Sequence, residues 1–358
     1  DAGTGAAIFT TSGTTKAPKF VLHSQRSLAG HALNCADAFG WRTEGSIMLQ
    51  ALPLCGVFGL THALGALASG NPMIMLSSFD PAEAAGIMQT QKVTYLGGSD
   101  EMFDMLLNAV PDQPVPFPHF RLGSYAKFNA ALDDIVARAA GRGMQIGGVY
   151  GMSEVQALLS RWPDDMRTSD RQRGGGIPIS PETSIRVRDP ESGELLPEGE
   201  AGELEIRCPS MMTEYFGNPE ATAETLTEDG HVRTGDLATL TEDGGFEFLS
   251  RMGDVLRLGG YLVAPAEIEA QVLAHDGIAD VQVVSANIDG RPRAVAFVIA
   301  TNDVAPDQTE VIAHCKAGLA GYKVPARIVP LDAFPTTDGP NGVKIQKNKL
   351  REMAAGLT

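Results

Sequence analysis

The chain has 358 residues, with 28 Lys and Arg against 44 Asp and Glu and a formal net charge of −16. That balance disfavours nucleic acid as the main partner, because a phosphate-backbone binder needs clustered positive charge. An apolar content of 43% argues against a disordered chain and fits a globular enzyme of two or three compact units.

The chain opens Asp1, Ala2, Gly3, with no initiating Met or signal-peptide core, and a first strand is expected over 6–10. Between Glu44 and Asp80 there is no charged residue. Pro53, Gly56, Gly59, Gly65, Gly70 and Pro72 interrupt this stretch, so it reads as strand, turn, buried helix and strand rather than a membrane span. Strand signals at 47–52, 72–76 and 92–97 alternate with helix signals at 25–38, 60–69, 81–91 and 129–142. Such alternation implies a largely parallel sheet covered by helices. From 174 to 250 the texture is β-rich, with alternating segments at 183–187, 202–207, 237–240 and 245–249 between Gly, Pro and Asp turns.

A third texture follows Arg251. Pro265 opens a helix with acids in its first turn. Strands at 281–285, 294–300 and 327–331 and helices at 307–319 and 348–354 complete a small α+β unit. The expected class is α/β: an α/β part over 1–173, a β-rich part over 174–251, and a small α+β domain over 252–358. Residues 314–352 carry seven Lys or Arg against three Asp or Glu, a cationic end on an acidic chain. It could meet a small polyanion held elsewhere, but a solvated face is the preferred reading until motifs are added.

The cysteines (Cys35, Cys55, Cys208, Cys315) form no CxxC pair, and none of the seven histidines has a metal-ligand spacing. Neither a zinc knuckle nor a disulfide framework is expected, and a reduced, cytoplasmic protein is the simplest expectation. The run GRGMQIG at 141–147 imitates a dinucleotide fingerprint, but it ends a helix instead of following a strand.

The run TTSGTTKAPK at 10–19 lies directly after the first strand. Small hydroxylated residues, glycine and a nearby lysine can offer N–H groups, hydroxyls and a counter-charge to phosphates. The pattern GxxxxGK[ST] is absent, so this is not the usual nucleotide P-loop, and composition alone leaves a Ser/Thr-rich turn equally open.

Together with four later segments, this run resembles the adenylate-forming superfamily of acyl-CoA synthetases, peptide-synthetase adenylation domains and luciferases. The others are YGMSE at 150–154, TGD at 234–236, RMGDVLRLGGYLVAPAEIE at 251–269 and NGVKIQKNKLR at 341–351, in the family's order. Taken singly, Asp236 could be a turn residue, Glu154 a helix N-terminal acid, Lys344 part of a solvated helix face, and Gly259-Gly260 a plain β-turn. The ordered set reverses that judgement.

The resemblance implies an ATP- and Mg²⁺-dependent acid–CoA ligase that makes acyl-AMP and then acyl-CoA. It implies that 1–251 is a portion of a large adenylating domain and 252–358 a mobile lid. By the same resemblance Thr11, Ser12, Gly13, Thr14, Thr15 and Lys19 would hold the β- and γ-phosphates. Glu154 would ligate Mg²⁺, Ser153 would contact the α-phosphate, and Tyr150 would face adenine. Asp236 and Arg251 would hold the ribose, and Lys344 would reach the α-phosphate and the carboxylate. Gly259, Gly260 and Tyr261 would meet the pantetheine arm of coenzyme A.

The KIQK ending at 344–347 and GSYAKFN at 123–129 tilt the substrate toward fatty or other apolar carboxylic acids. An enzyme that loads a carrier protein's pantetheine, or a non-catalytic nucleotide-binding fragment, are the alternatives. Family members carry a further stretch upstream of the phosphate loop, so the chain is expected to be a C-terminal portion of a longer protein. A polypeptide that began at Asp1 would expose a sheet edge and favour a homo-oligomer or a separate N-terminal portion. Lys16 in the loop and Gly253 at the hinge depart from the family's pattern, as does Gly56 where relatives carry His.

Overall fold

The computed structural model describes residues 1–11, 18–129, 132–302, 304–339 and 342–357, with side chains for all of these except 338, 339 and 342–344. Contacts divide the chain into two units. One is Asp1–Phe128, Leu132–Thr234 and Thr239–Phe248; the other is chiefly Leu249–Thr358 with Gly235–Ala238.

The first unit holds a small antiparallel sheet in which Phe20–Ser24 lies between Gly5–Thr10 and Glu214–Tyr215. Its main feature is its share of a twelve-stranded sheet, two of whose strands, Val232–Leu240 and Phe246–Arg251, include residues of the second unit. From one edge run Met73–Met75, Met48–Gln50, Tyr95–Ser99, Leu122–Ala126 and Ile146–Met152, all parallel. The sheet then turns antiparallel through Gln156–Arg161 and Gly175–Pro178. It continues through Phe246–Arg251, Val232–Leu240, Ala201–Arg207 and Ser184–Arg188 to Leu195–Leu196. The α/β and β-rich textures of the sequence are therefore two halves of one sheet. They meet where the chain reverses between Ile146–Met152 and Gln156–Arg161, at the YGMSE segment.

The helix Gln25–Ala38 matches expectation, capped by the Ser24 side chain, which accepts from the Ser27 N–H. Val57–Ser69 starts earlier than expected, after Gly56 as N-cap, and stops at Gly70 in the left-handed region. Among the described residues of the expected 129–142 helix, Ile135–Gly141 is α-helical and the rest is not. The helix Asp100–Asn108 was not anticipated; Ser99 caps it by accepting from the Met102 N–H. The GRGMQIG lookalike does straddle a helix end, between Ile135–Gly141 and the strand Ile146–Met152.

Two buried histidines hold the helices to the sheet. His31 bonds the Ala157 carbonyl through Nε2 at 2.6 Å, and His62 bonds the Phe58 carbonyl through Nδ1 at 2.8 Å. The remaining His62 nitrogen meets the Tyr95 and Ser124 hydroxyls, each at 3.2 Å. Burial lowers both histidine pKa values to about 4. Each stays neutral in the fold but is protonated below about 6.5 once unfolded. Stability is thus fully present above about pH 6.5 and declines as pH falls toward 4, by about 3 kcal/mol per histidine. Urea unfolding at pH 7 and pH 4.5 should show this loss, and His31→Gln should reduce it; an unchanged midpoint for the parent chain across that interval would contradict it.

In the second unit Ile278–Ile288 and Arg291–Ala300 form a long antiparallel pair, and Arg327–Pro330 joins parallel to the latter. Val281, Val283, Ala294, Ala296 and Val298 share a cluster with residues of the helices Pro265–Leu273 and Gln308–Gly318. Val284, Ala286, Ile288, Val295 and Phe297 face Leu350 and Ala354 of the helix Lys347–Ala355. Both faces are covered, which is why these strands read as unbroken apolar runs. A hairpin of Thr336–Gly339 and Gly342–Ile345 precedes the last helix. No helix among the described residues is long and apolar enough to cross a membrane. All four cysteines are free.

Candidate active site

The site builds up in two parts, one in each unit. In the first, Thr10 pairs with Phe20, so the TTSGTTKAPK run is the connection between two antiparallel strands. Its ends are tied together: the Thr11 N–H donates to the Lys19 carbonyl at 3.0 Å, and the Lys19 N–H to Thr11 Oγ1 at 3.2 Å. Ser12, Gly13, Thr14, Thr15 and Lys16 lie outside the described residues. The Lys19 ammonium stands 4.3 Å from the centroid of the Tyr215 ring. The Tyr215 hydroxyl donates to Glu154 Oε1 at 2.6 Å. The Lys19 ammonium and a buried carboxylate thus meet on opposite parts of one aromatic side chain.

Glu154 sits in the turn between Ile146–Met152 and Gln156–Arg161, not at a helix N-terminus. It is 6% exposed, and its carbonyl accepts from the Met212 N–H at 2.7 Å. Ser153 is half-buried, with its carbonyl 2.7 Å from His23 Nε2. That bond requires the proton on Nε2, and burial lowers the His23 pKa, so His23 acts as a neutral donor fixing the turn.

Gln156 and Leu158 hold φ of 68° and 61°, the left-handed region that non-glycine residues seldom adopt. The Gln156 side-chain amide compensates by donating to the carbonyls of Ser27 and Ser210. Gly151 is required for a different reason: a Cβ there would come within 2.5 Å of Ala157 Cα. Tyr150 is buried, edge-on to Phe246 with ring centroids 5.0 Å apart.

In the second unit, Asp236 lies within Val232–Leu240 and is buried, so it is not a plain turn residue. Arg251 Nε reaches Asp236 Oδ1 at 3.1 Å, while the Arg251 side chain is 60% exposed. Gly259 and Gly260, with φ of 60° and 89°, form the two-residue turn between Leu256–Leu258 and Tyr261–Val263. Two successive positive φ values suit glycine in such hairpins. Tyr261 is exposed and stacks on Tyr322 at 5.0 Å.

Lys344 occupies Gly342–Ile345 opposite Thr337; its side chain lies outside the described residues. The helix after it is anchored by an ion pair of Arg351 with Asp254 and by Arg351 donating to the Gly253 carbonyl at 2.9 Å.

Sequence reasoning missed Tyr215, His23 and Gln156. The one available signal was the segment TEYFGNPEAT at 213–222, an aromatic just ahead of the Asn218-capped helix Pro219–Thr225.

Residues 1–216 match the family model described as AMP-binding enzyme, and residues 267–339 match that of the AMP-binding enzyme C-terminal domain. The chain belongs to the AMP-binding enzyme family. This AMP-binding family member is 29% identical over 369 residues to the 4-coumarate–CoA ligase-like 6 of Arabidopsis thaliana, covering 97% of this chain and 62% of that protein. It is 28% identical over 355 residues to the long-chain-fatty-acid–CoA ligase of Salmonella typhimurium, covering 97% and 61%. ATP-bound MatB from Rhodopseudomonas palustris superposes with a TM-score of 0.87 at 29% identity, over 99% of this chain and 69% of that one. The chain therefore spans about three-fifths of the length of the curated relatives it matches. The names of the two ligases point to unlike acids, so membership of the family leaves the acid open.

Proposed function

We propose that the protein is an AMP-forming acid–CoA ligase, joining an apolar carboxylic acid first to AMP and then to coenzyme A. The observation that carries this reading is the meeting of Lys19 and Glu154 on Tyr215, at the base of the TTSGTTKAPK connection. A cation for phosphate oxygens and a carboxylate for a hard cation stand side by side there.

Mg²⁺ suits this carboxylate on its chemistry. It is commonly held by one or two carboxylates, substrate phosphates and water, so no larger ligand cluster is needed. Among the described residues no group of three or more His, Cys, Asp or Glu could hold a metal ion. The Tyr215 hydroxyl engages Glu154 Oε1, and Glu154 would hold the metal through its carboxylate. Bound there, Mg²⁺ would neutralise phosphate charge.

The chemistry demands positioning more than covalent help, since a carboxylate must approach an already anionic triphosphate. Lys19 and the hydroxyls of the connection hold the β- and γ-phosphates, which leave as pyrophosphate. Ser153 steadies the α-phosphate, and Tyr150 supplies an aromatic wall for adenine. Asp236 accepts from the ribose hydroxyls, with Arg251 Nε 3.1 Å from its Oδ1 to support the same sugar. Lys344 offsets the negative charge that grows between the carboxylate and the α-phosphorus. In the second step the thiol of coenzyme A attacks the acyl carbonyl and AMP leaves, with the Gly259-Gly260 turn giving a narrow arm close access to backbone.

The test is a panel of acids in ATP–pyrophosphate exchange, followed by product analysis with coenzyme A and with a pantetheine-bearing carrier protein. Exchange strongest with apolar acids and thioester on coenzyme A is the expected result. Thioester only on the carrier protein would move the acceptor, and ATP binding without acid-dependent exchange would overturn the ligase reading.

A further inference from the structure

The geometry points to Tyr215 as a positioning residue that keeps Lys19 and Glu154 apart and aims both at one metal–triphosphate complex; this rests on the ligase reading above. An ammonium and a carboxylate so close to a common side chain would satisfy each other as an ion pair unless something intervened. No Lys19–Glu154 ion pair exists among the described residues. The Tyr215 ring takes the ammonium on its face at 4.3 Å, and its hydroxyl takes Glu154 Oε1 at 2.6 Å. A hydroxyl donor fixes one carboxylate oxygen without adding charge, which leaves the other oriented toward a cation. The ring holds the ammonium weakly enough to release it to a phosphate.

The framework that holds Tyr215 is rigid and local. Tyr215 is 3% exposed and pairs with Val21 on the strand leading away from the phosphate connection. Its N–H donates to Thr222 Oγ1 at 2.9 Å. On the carboxylate side, the Met212 N–H donates to the Glu154 carbonyl, and Ser210 Oγ donates to the Val155 carbonyl at 2.7 Å. The 210–215 segment therefore holds the Glu154 turn and the strand Phe20–Ser24, which follows Lys19, in one register. A bulky aliphatic residue would fill the space, whereas tyrosine also offers a π face and, at the far end of the ring, a hydroxyl donor.

The test measures ATP binding by calorimetry, with Mg²⁺ and with EDTA, beside the urea unfolding midpoint. Tyr215→Phe keeps the ring and loses the hydroxyl, so the gain in ATP affinity that Mg²⁺ confers should shrink by about 10-fold or more. Affinity in EDTA should change less than about twofold, because the ring still faces Lys19. Tyr215→Leu should weaken ATP binding in EDTA as well, and adding Lys19→Met to it should cost less than Lys19→Met costs the parent, since the ring acts through that lysine.

Equal losses for Tyr215→Phe with and without Mg²⁺, or an unchanged Mg²⁺ gain, would overturn the proposal. Glu154→Gln separates the two levels. If it abolishes the Mg²⁺ gain while Tyr215→Phe preserves it, only the role of Tyr215 falls. If Glu154→Gln preserves the gain, the metal assignment falls and the proposal with it.

Discussion

Lys344→Ala is expected to lower acid-dependent ATP–pyrophosphate exchange by about 10²–10³-fold, the usual cost of removing one preorganised charge from a developing anion. Thioester formation from supplied acyl-AMP and coenzyme A should stay within about threefold of the parent, because that step expels AMP and creates no new bond at phosphorus. The split is informative because Lys344 sits on a short hairpin strand, Gly342–Ile345, outside the long-stranded core of its unit. Exchange and thioester formation measured on the same preparation check this, and equal loss of both would show that the lysine serves binding in general.

Asp236→Ala is expected to weaken ATP binding by about 10²-fold, the loss of two hydrogen bonds from ribose hydroxyls to a charged acceptor. Breaking a buried ion pair normally destabilises a fold, because the abandoned partner keeps an unsolvated charge. Here the partner is Arg251, whose side chain is 60% exposed and remains hydrated. The unfolding midpoint should therefore move little while affinity collapses. Calorimetric titration with ATP and a urea melt distinguish the outcomes; a large loss of stability with unchanged affinity would make Asp236 a structural residue.

The parts of the fold that could be read from sequence are those with local signals. Gln25–Ala38 follows Ser24, an N-cap whose side chain accepts from the Ser27 N–H, and Pro265–Leu273 carries Pro and Glu267 in its first turn. The strands Ile278–Ile288 and Arg291–Ala300 were legible in their apolar centres but not at their ends, where exposed Arg291 and Pro292 interrupt the pattern. Phe20–Ser24 and Gln156–Arg161 were not legible, because their character comes from partners far along the chain. Tyr215 pairs with Val21, and Met152 with Gln156 across a turn, beyond which Gln156 and Leu158 hold positive φ within the strand.

The site divides in the same way. Lys19, Glu154 and Asp236 stand in short segments with a recognisable order, whereas Tyr215 belongs to none of those segments. Its importance is a matter of where three separate stretches come together, and spacing in sequence carries no record of that. The burial of Asp236 and Glu154 is similarly a tertiary property. Each motif alone was compatible with a surface turn or a helix end, and packing excludes both alternatives for these two carboxylates.

The most direct test of the account is ATP–pyrophosphate exchange by the purified protein, with and without a carboxylic acid and with and without Mg²⁺. The account predicts exchange that requires both and is lost in Lys344→Ala. Exchange independent of acid, or tight ATP binding with no exchange across the whole acid panel, would contradict it.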